Sequence, residues 1–111
     1  MNSRTKGHSF ERHMAERLRE LWPECCTSRF KGNLWLDHMG VDLVGTGNFN
    51  VQLKATERSP AYHSILDGMP QGKNVNLIVH KRNNKGSVCV MRFEDFMEIA
   101  KQLYSTKDAI K

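Results

Sequence analysis

The stretch from Gly40 to Glu57, GVDLVGTGNFNVQLKATE, constrains the fold more than any other part of the chain. It reads as two short strands joined by a Gly-rich turn: an apolar VDLV with one acid inside it, the turn residues TGN, then the alternating FNVQLKA. Successive side chains of a strand point to opposite faces. Val51, Leu53 and Ala55 therefore share one face, Gln52 and Lys54 the other, and Val41 and Leu43 oppose Asp42. A carboxylate, a carboxamide and an amine inside apolar strands are costly unless paired or metal-bound. With the strands adjacent, Asp42, Gln52 and Lys54 meet at one spot on one sheet face. Such a set holds a divalent cation through oxygens and keeps an ammonium beside it. The same pattern also describes an ordinary Asp-containing strand next to an edge strand that carries Lys against sheet-to-sheet pairing.

A chain of 111 residues is read as one small domain, 1–111, with a single core. Its 17 basic and 12 acidic residues leave a formal charge of +5. That balance suits a polyanionic partner, and also occurs in proteins that touch no nucleic acid. Cys25 and Cys26 are adjacent and Cys89 is distant, which is neither a disulfide framework nor a zinc spacing. Buried, reduced thiols in a cytoplasmic protein (host cytoplasm if viral) are expected. The N-terminus is polar and no apolar run approaches a membrane span, so neither a signal peptide nor a membrane partner is expected.

In chain order, residues 1–7 form a basic lead-in with Arg4 and Lys6, and Ser9 is a candidate N-cap. Phe10, Met14, Leu18, Leu21 and Trp22 recur at helical spacing until Pro23. Glu11 sits in the first turn of that helix, where its simplest role is to face the helix dipole. Residues 24–30 read as a strand and 31–39 as a loop. After the two central strands, 58–73 reads as loop with a short helix near Tyr62 to Leu66. NVNLIVH (74–80) and SVCVMRF (87–93) read as strands joined by the turn RNNKG. A last helix over 94–104 places Phe93, Phe96, Met97, Ala100 and Leu103 inward, and 105–111 is expected to fray. The order predicts a mixed α/β fold, about five strands in one sheet flanked by helices.

These residues in this order resemble the PD-(D/E)xK nuclease superfamily, and within it the archaeal- and viral-type Holliday junction resolvases. KGHSFER (Lys6 to Arg12) resembles the family's opening, VDLV the strand bearing its central Asp, and QLK the strand bearing its (E/D)-x-K element. The resemblance implies a restriction-endonuclease-like core over roughly Arg4 to Leu103. It implies that Glu11, Asp42 and Gln52 bind the metal and that Lys54 orients the attacking water. Gln52 departs from the family's acidic residue, so two negative charges face the ion instead of three. Asp37 is the rival to Asp42, and Glu57 a remoter helper through water. Ser28 and Arg29 are implied to lie near the junction backbone, and the basic Arg4, Lys6 and Lys31 are expected to contact DNA as well.

The function implied is Mg2+-dependent cleavage of DNA four-way junctions by a homodimer, with Mn2+ able to substitute. Two alternatives stay open: a nicking or restriction-type endonuclease on ordinary duplex, and a non-catalytic DNA-binding module with a degenerate site. His38, Trp35 and Tyr62 have simpler roles as loop or packing residues, although Trp35 and Tyr62 are also able to stack on unpaired bases.

Overall fold

A computed structural model describes the backbone of residues 3–110 and the side chains of residues 7–105. The elements are α1 (Ser3–Leu18), β1 (Cys26–Thr27), α2 (Leu34–His38), β2 (Leu43–Val44), β3 (Phe49–Ala55), α3 (Tyr62–Gly68), β4 (Val75–Arg82), β5 (Gly86–Val90) and α4 (Phe93–Ile110). The strands lie side by side in sequence order. Every neighbouring pair is antiparallel except β3 and β4, which are parallel. A parallel pair needs a crossover, and the segment carrying α3 supplies it. The chain thus adopts the mixed α/β class with a five-stranded sheet that its sequence predicts. No described helix is long and apolar enough to cross a membrane.

Strand parity splits the core into two layers. On one face Phe10, Met14 and Ala15 of α1 pack against Leu43, Val51, Leu53 and Val79. On the other, Leu66 of α3 and Met69 pack against Ile78. Two buried asparagines of that second face are hydrogen-bonded. Asn50 donates to Asn76 (2.9 Å), and Asn76 donates to the Pro70 carbonyl (3.0 Å). These bonds fasten the parallel pair to the crossover and satisfy amides that would be expensive to bury alone.

Several boundaries differ from expectation. Helix α1 begins at Ser3, so Ser9 is inside the helix and is not its cap. Arg and Lys upstream are good helix formers, and Gly7 is tolerated at a cost of about 1 kcal/mol. Arg4 and Lys6 fall on the first turn, and their side chains lie outside the described residues. The helix ends at Leu18, before Pro23, so Trp22 still packs against Phe49 (ring centroids 5.9 Å apart) while Leu21 is left 69% exposed. The first strand is cut to Cys26–Thr27 because the chain turns at once: the Phe30 amide donates to Thr27 Oγ1 and the Asn33 amide to the Ser28 carbonyl. The expected loop contains α2, capped by Asn33, whose Oδ1 accepts from the Leu36 amide (3.2 Å).

The largest difference is at the C-terminal end. Helix α4 continues to Ile110, through residues expected to fray, and Lys111 lies outside the described residues. Its apolar stripe does not face inward: Phe93 is 68%, Phe96 52% and Leu103 63% exposed. Helical periodicity identified the stripe correctly but said nothing about whether anything covers it.

Candidate functional site

Asp42 stands immediately before β2 and is held on three sides. Its amide donates to the Val51 carbonyl (2.8 Å), and its own carbonyl accepts from the Ser28 amide (2.9 Å). Its Oδ2 accepts from the Leu53 amide (2.8 Å). With Leu43 opposite Val51, Asp42 falls beside Gln52, on the face opposite Val51 and Leu53. Lys54 follows one pleat along β3.

Gln52 reaches its place because of Gly40. This glycine has φ +82°, and a Cβ there would lie 2.9 Å from Gln52 Oε1. Among the described residues the Gln52 amide has no hydrogen-bond partner, so its oxygen is open. Gly40→Ala should lower stability by about 1–2 kcal/mol, the cost of a left-handed φ, and push the flexible Gln52 side chain aside. Asn tolerates that φ better than Ala, so urea denaturation should rank Gly40 above Gly40→Asn above Gly40→Ala. An alanine variant as stable as the parent would remove the backbone requirement.

Two further carboxylates surround Asp42. Glu11 comes from α1 and is largely buried, its side chain 14% exposed, in an ion pair with Arg29. Asp37 comes from the end of α2, and its Oδ1 accepts from the Ser28 hydroxyl (3.3 Å). Burial pushes the Asp42 carboxyl up to about 6, and Glu11 and Asp37 push in the same direction. The Leu53 amide and Lys54 oppose that rise. Glu11 is raised too, first by burial, with Arg29 opposing and Asp37 adding. Burial is thus the main cause of both rises, and neighbouring carboxylates add to it.

The predicted residues are thus only partly gathered. Asp42, Gln52 and Lys54 share one face, with Glu11 near enough to act on Asp42 through space. Among the described residues, however, no three His, Cys, Asp or Glu side chains stand together so as to hold one ion. Ser28, expected beside a DNA backbone, is fully buried and positions Asp37. Arg29 is half exposed and Lys31 exposed. Glu57 turns away from the site, accepting from the Asn83 amide of the β4–β5 turn (2.8 Å). Cys25 is buried, Cys26 half-buried and Cys89 exposed, all as free thiols, so only the first matches the expected burial.

His80 was not singled out by its sequence context. It pairs with Lys54 across the parallel strands and is buried. Its Nε2 lies 2.8 Å from the Thr56 carbonyl, which only accepts, so Nε2 carries a proton. In the neutral ring Nδ1 then accepts from the Tyr62 hydroxyl (3.1 Å). Tyr62 is thereby a packing residue, and His80 pins the end of β3 just beyond Lys54. The parity of NVNLIVH places His80 on the Asn76 face; only the register with β3 places it beside Lys54.

The chain matches no protein-family model, no curated protein and no solved structure.

Proposed function

We propose that this chain is a metal-dependent, structure-selective DNA endonuclease, acting on four-way junctions in the manner of a Holliday junction resolvase. The observation that carries this reading is that Asp42, Gln52 and Lys54 share one sheet face, with Glu11 and Asp37 close enough to act on Asp42 through space. Burial disfavours the charged form of both Asp42 and Glu11, a cost that a bound cation would offset, and hard oxygen donors suit Mg2+ or Mn2+. The donor chemistry fits such an ion. Asp42 and Gln52 would hold it, with Glu11 joining once released from Arg29.

A bound divalent cation supplies a water of lowered pKa and positive charge beside the phosphate. The chain's own groups do the rest. Lys54 places an ammonium where charge develops on the phosphate and orients the attacking water. Asp42, fixed by the Leu53 amide, keeps one carboxylate oxygen at a set position. His80 and Tyr62 hold the strand end that carries Lys54. The +5 charge favours a polyanion, and Lys31 offers a phosphate contact. Phe30, between Arg29 and Lys31 in the chain, and Trp35 are 84% and 64% exposed and offer aromatic faces to unpaired bases, which favours branched DNA over plain duplex. Symmetric cutting of a junction needs two sites at fixed separation, hence a twofold dimer.

A second reading is favoured by the Glu11–Arg29 pair and by the neutral Gln52: a DNA-binding module whose site no longer binds metal tightly. Cleavage of a labelled four-way junction beside a matched linear duplex, in Mg2+, Mn2+ or EDTA, tests the enzyme. Junction cutting that stops in EDTA is expected. Equal cutting of both substrates would turn the reading to a duplex endonuclease. No cutting, with no heat of Mg2+ binding by calorimetry, would leave the binding module.

A further inference from the structure

Two apolar surfaces of this chain are exposed and complementary. One is the stripe of α4. Phe93, Phe96, Met97 and Leu103 recur on one side of an 18-residue helix, roughly 27 Å long. Phe93 and Phe96 touch each other (centroids 6.3 Å apart), and among the described residues no other element packs extensively against α4. The second surface is a groove of about 460 Å3 on the α1 side of the sheet. Leu77, Val79 and Cys89 form its floor, and Leu18, Leu21 and Phe49 its wall. It exists because α1 covers β1 to β3 but leaves the β4–β5 edge bare.

The helix cannot reach its own groove as the chain stands. Met91 and Arg92 alone join β5 to α4. Arg92 is clamped on the opposite side of the sheet, to Asp67 (2.5 Å) at the end of α3 and to Gln71 (3.1 Å) just beyond it. The connection therefore starts α4 on the α3 side, away from the groove. We infer that α4 of each copy lies in the groove of a second copy, forming a reciprocal, closed dimer. Exchange of an identical element satisfies both surfaces twice and leaves no open end.

The areas are adequate. The uncovered stripe offers on the order of 400–500 Å2 from its large side chains. Two seatings, each burying helix and groove together, remove on the order of 1,600–2,000 Å2, the range of a stable interface. Charge agrees as well. Arg17 and Glu20 border the groove, and Glu94 and Lys101 lie toward one side of the α4 stripe, Lys101 being 3.6 Å from Glu98, so both surfaces carry charges of both signs at their edges.

This inference stands on the two surfaces and does not depend on the nuclease reading; it is read by mass, which DNA cutting does not affect. Sedimentation equilibrium of the full chain, without DNA, should give two copies at low micromolar concentration. Leu21→Glu in the groove wall and Phe96→Glu in the stripe should each raise the dissociation constant at least about a hundredfold, because each buries an unpaired carboxylate. Both positions face solvent in a single copy, so circular dichroism should be unchanged; Leu21→Ser and Phe96→Ser serve as milder versions if either fails to fold. A parent that stays monomeric at about 100 µM overturns the inference. So does a dimer that survives the groove substitutions, since pairing of α4 with α4 would ignore them.

Discussion

Asp42→Asn should abolish metal-dependent cutting and, in EDTA at neutral pH, make the protein more stable. The Asp42 carboxyl is pushed from 3.8 up to about 6 in the folded chain. Between those values the folded state keeps a proton that the unfolded state has lost. The sign follows from linkage: stability falls as pH rises through this window, and the full cost of the charged form is present above it. A rise of about two pKa units corresponds to about 3 kcal/mol. An asparagine carries no charge but brings an amide group that needs its own acceptor, which offsets part of the gain. The expected net gain is about 1–3 kcal/mol at pH 7.5, shrinking to nothing or to a small loss near pH 3.5. Urea denaturation at both pH values measures it. Saturating Mg2+ should stabilise the parent and leave the variant where it was, because only the parent's charged site gains from the ion. Equal destabilisation of Asp42→Asn at both pH values would mean that Asp42 is not the strained group inferred from its burial and neighbours.

The parts of this site that were legible in the sequence are those fixed by strand parity. FNVQLKA sends Val51 and Leu53 to one side and Gln52 and Lys54 to the other, and nothing tertiary alters that alternation. VDLV likewise separates Asp42 from Val41 and Leu43, both fully buried. What parity cannot carry is the approach of a third element. Asp37 comes within reach of Ser28 only through α2, a helix too short to show a period, set by one Asn33 cap. The Arg29 partner of Glu11 sits on the turn that cuts β1 short, at a place where β propensity predicted more strand. The placement of His80 beside Lys54 follows from the parallel β3–β4 register, which depends on the length and course of the crossover. Helix α4 shows the same limit from the other side. The period of its apolar residues was readable, whereas the direction in which it leaves the sheet is set by Arg92 reaching Asp67 and Gln71. Local pattern specifies which face is apolar, and tertiary anchors decide what that face meets.

Lys54→Ala should cut the single-turnover rate on four-way junctions at least about a hundredfold, the usual loss when one well-aimed electrostatic group is removed. Junction affinity measured in Ca2+ should change by less than about tenfold, since a single phosphate contact is a small part of a multi-contact surface. The structure sharpens this contrast. Lys54 is tied down by its strand, which His80 and Thr56 pin just beyond it, so its ammonium is carried by a rigid element. It also opposes the rise in the Asp42 pKa, so Lys54→Ala should make Asp42 harder to ionise and move the rising limb of the pH–rate profile to higher pH. Loss of rate with an unshifted profile would separate Lys54 from Asp42. Glu11→Ala provides the control for the wider site. If Glu11 only complements the helix dipole, its loss costs roughly 0.3–1 kcal/mol of stability and leaves the rate alone. If it serves the metal, Glu11→Ala lowers the rate and Arg29→Ala, which frees the carboxylate, tightens Mg2+ binding. A Glu11→Ala protein that folds and cuts junctions at the parental rate would restrict the catalytic set to Asp42, Gln52 and Lys54, and would remove the helix from the site altogether.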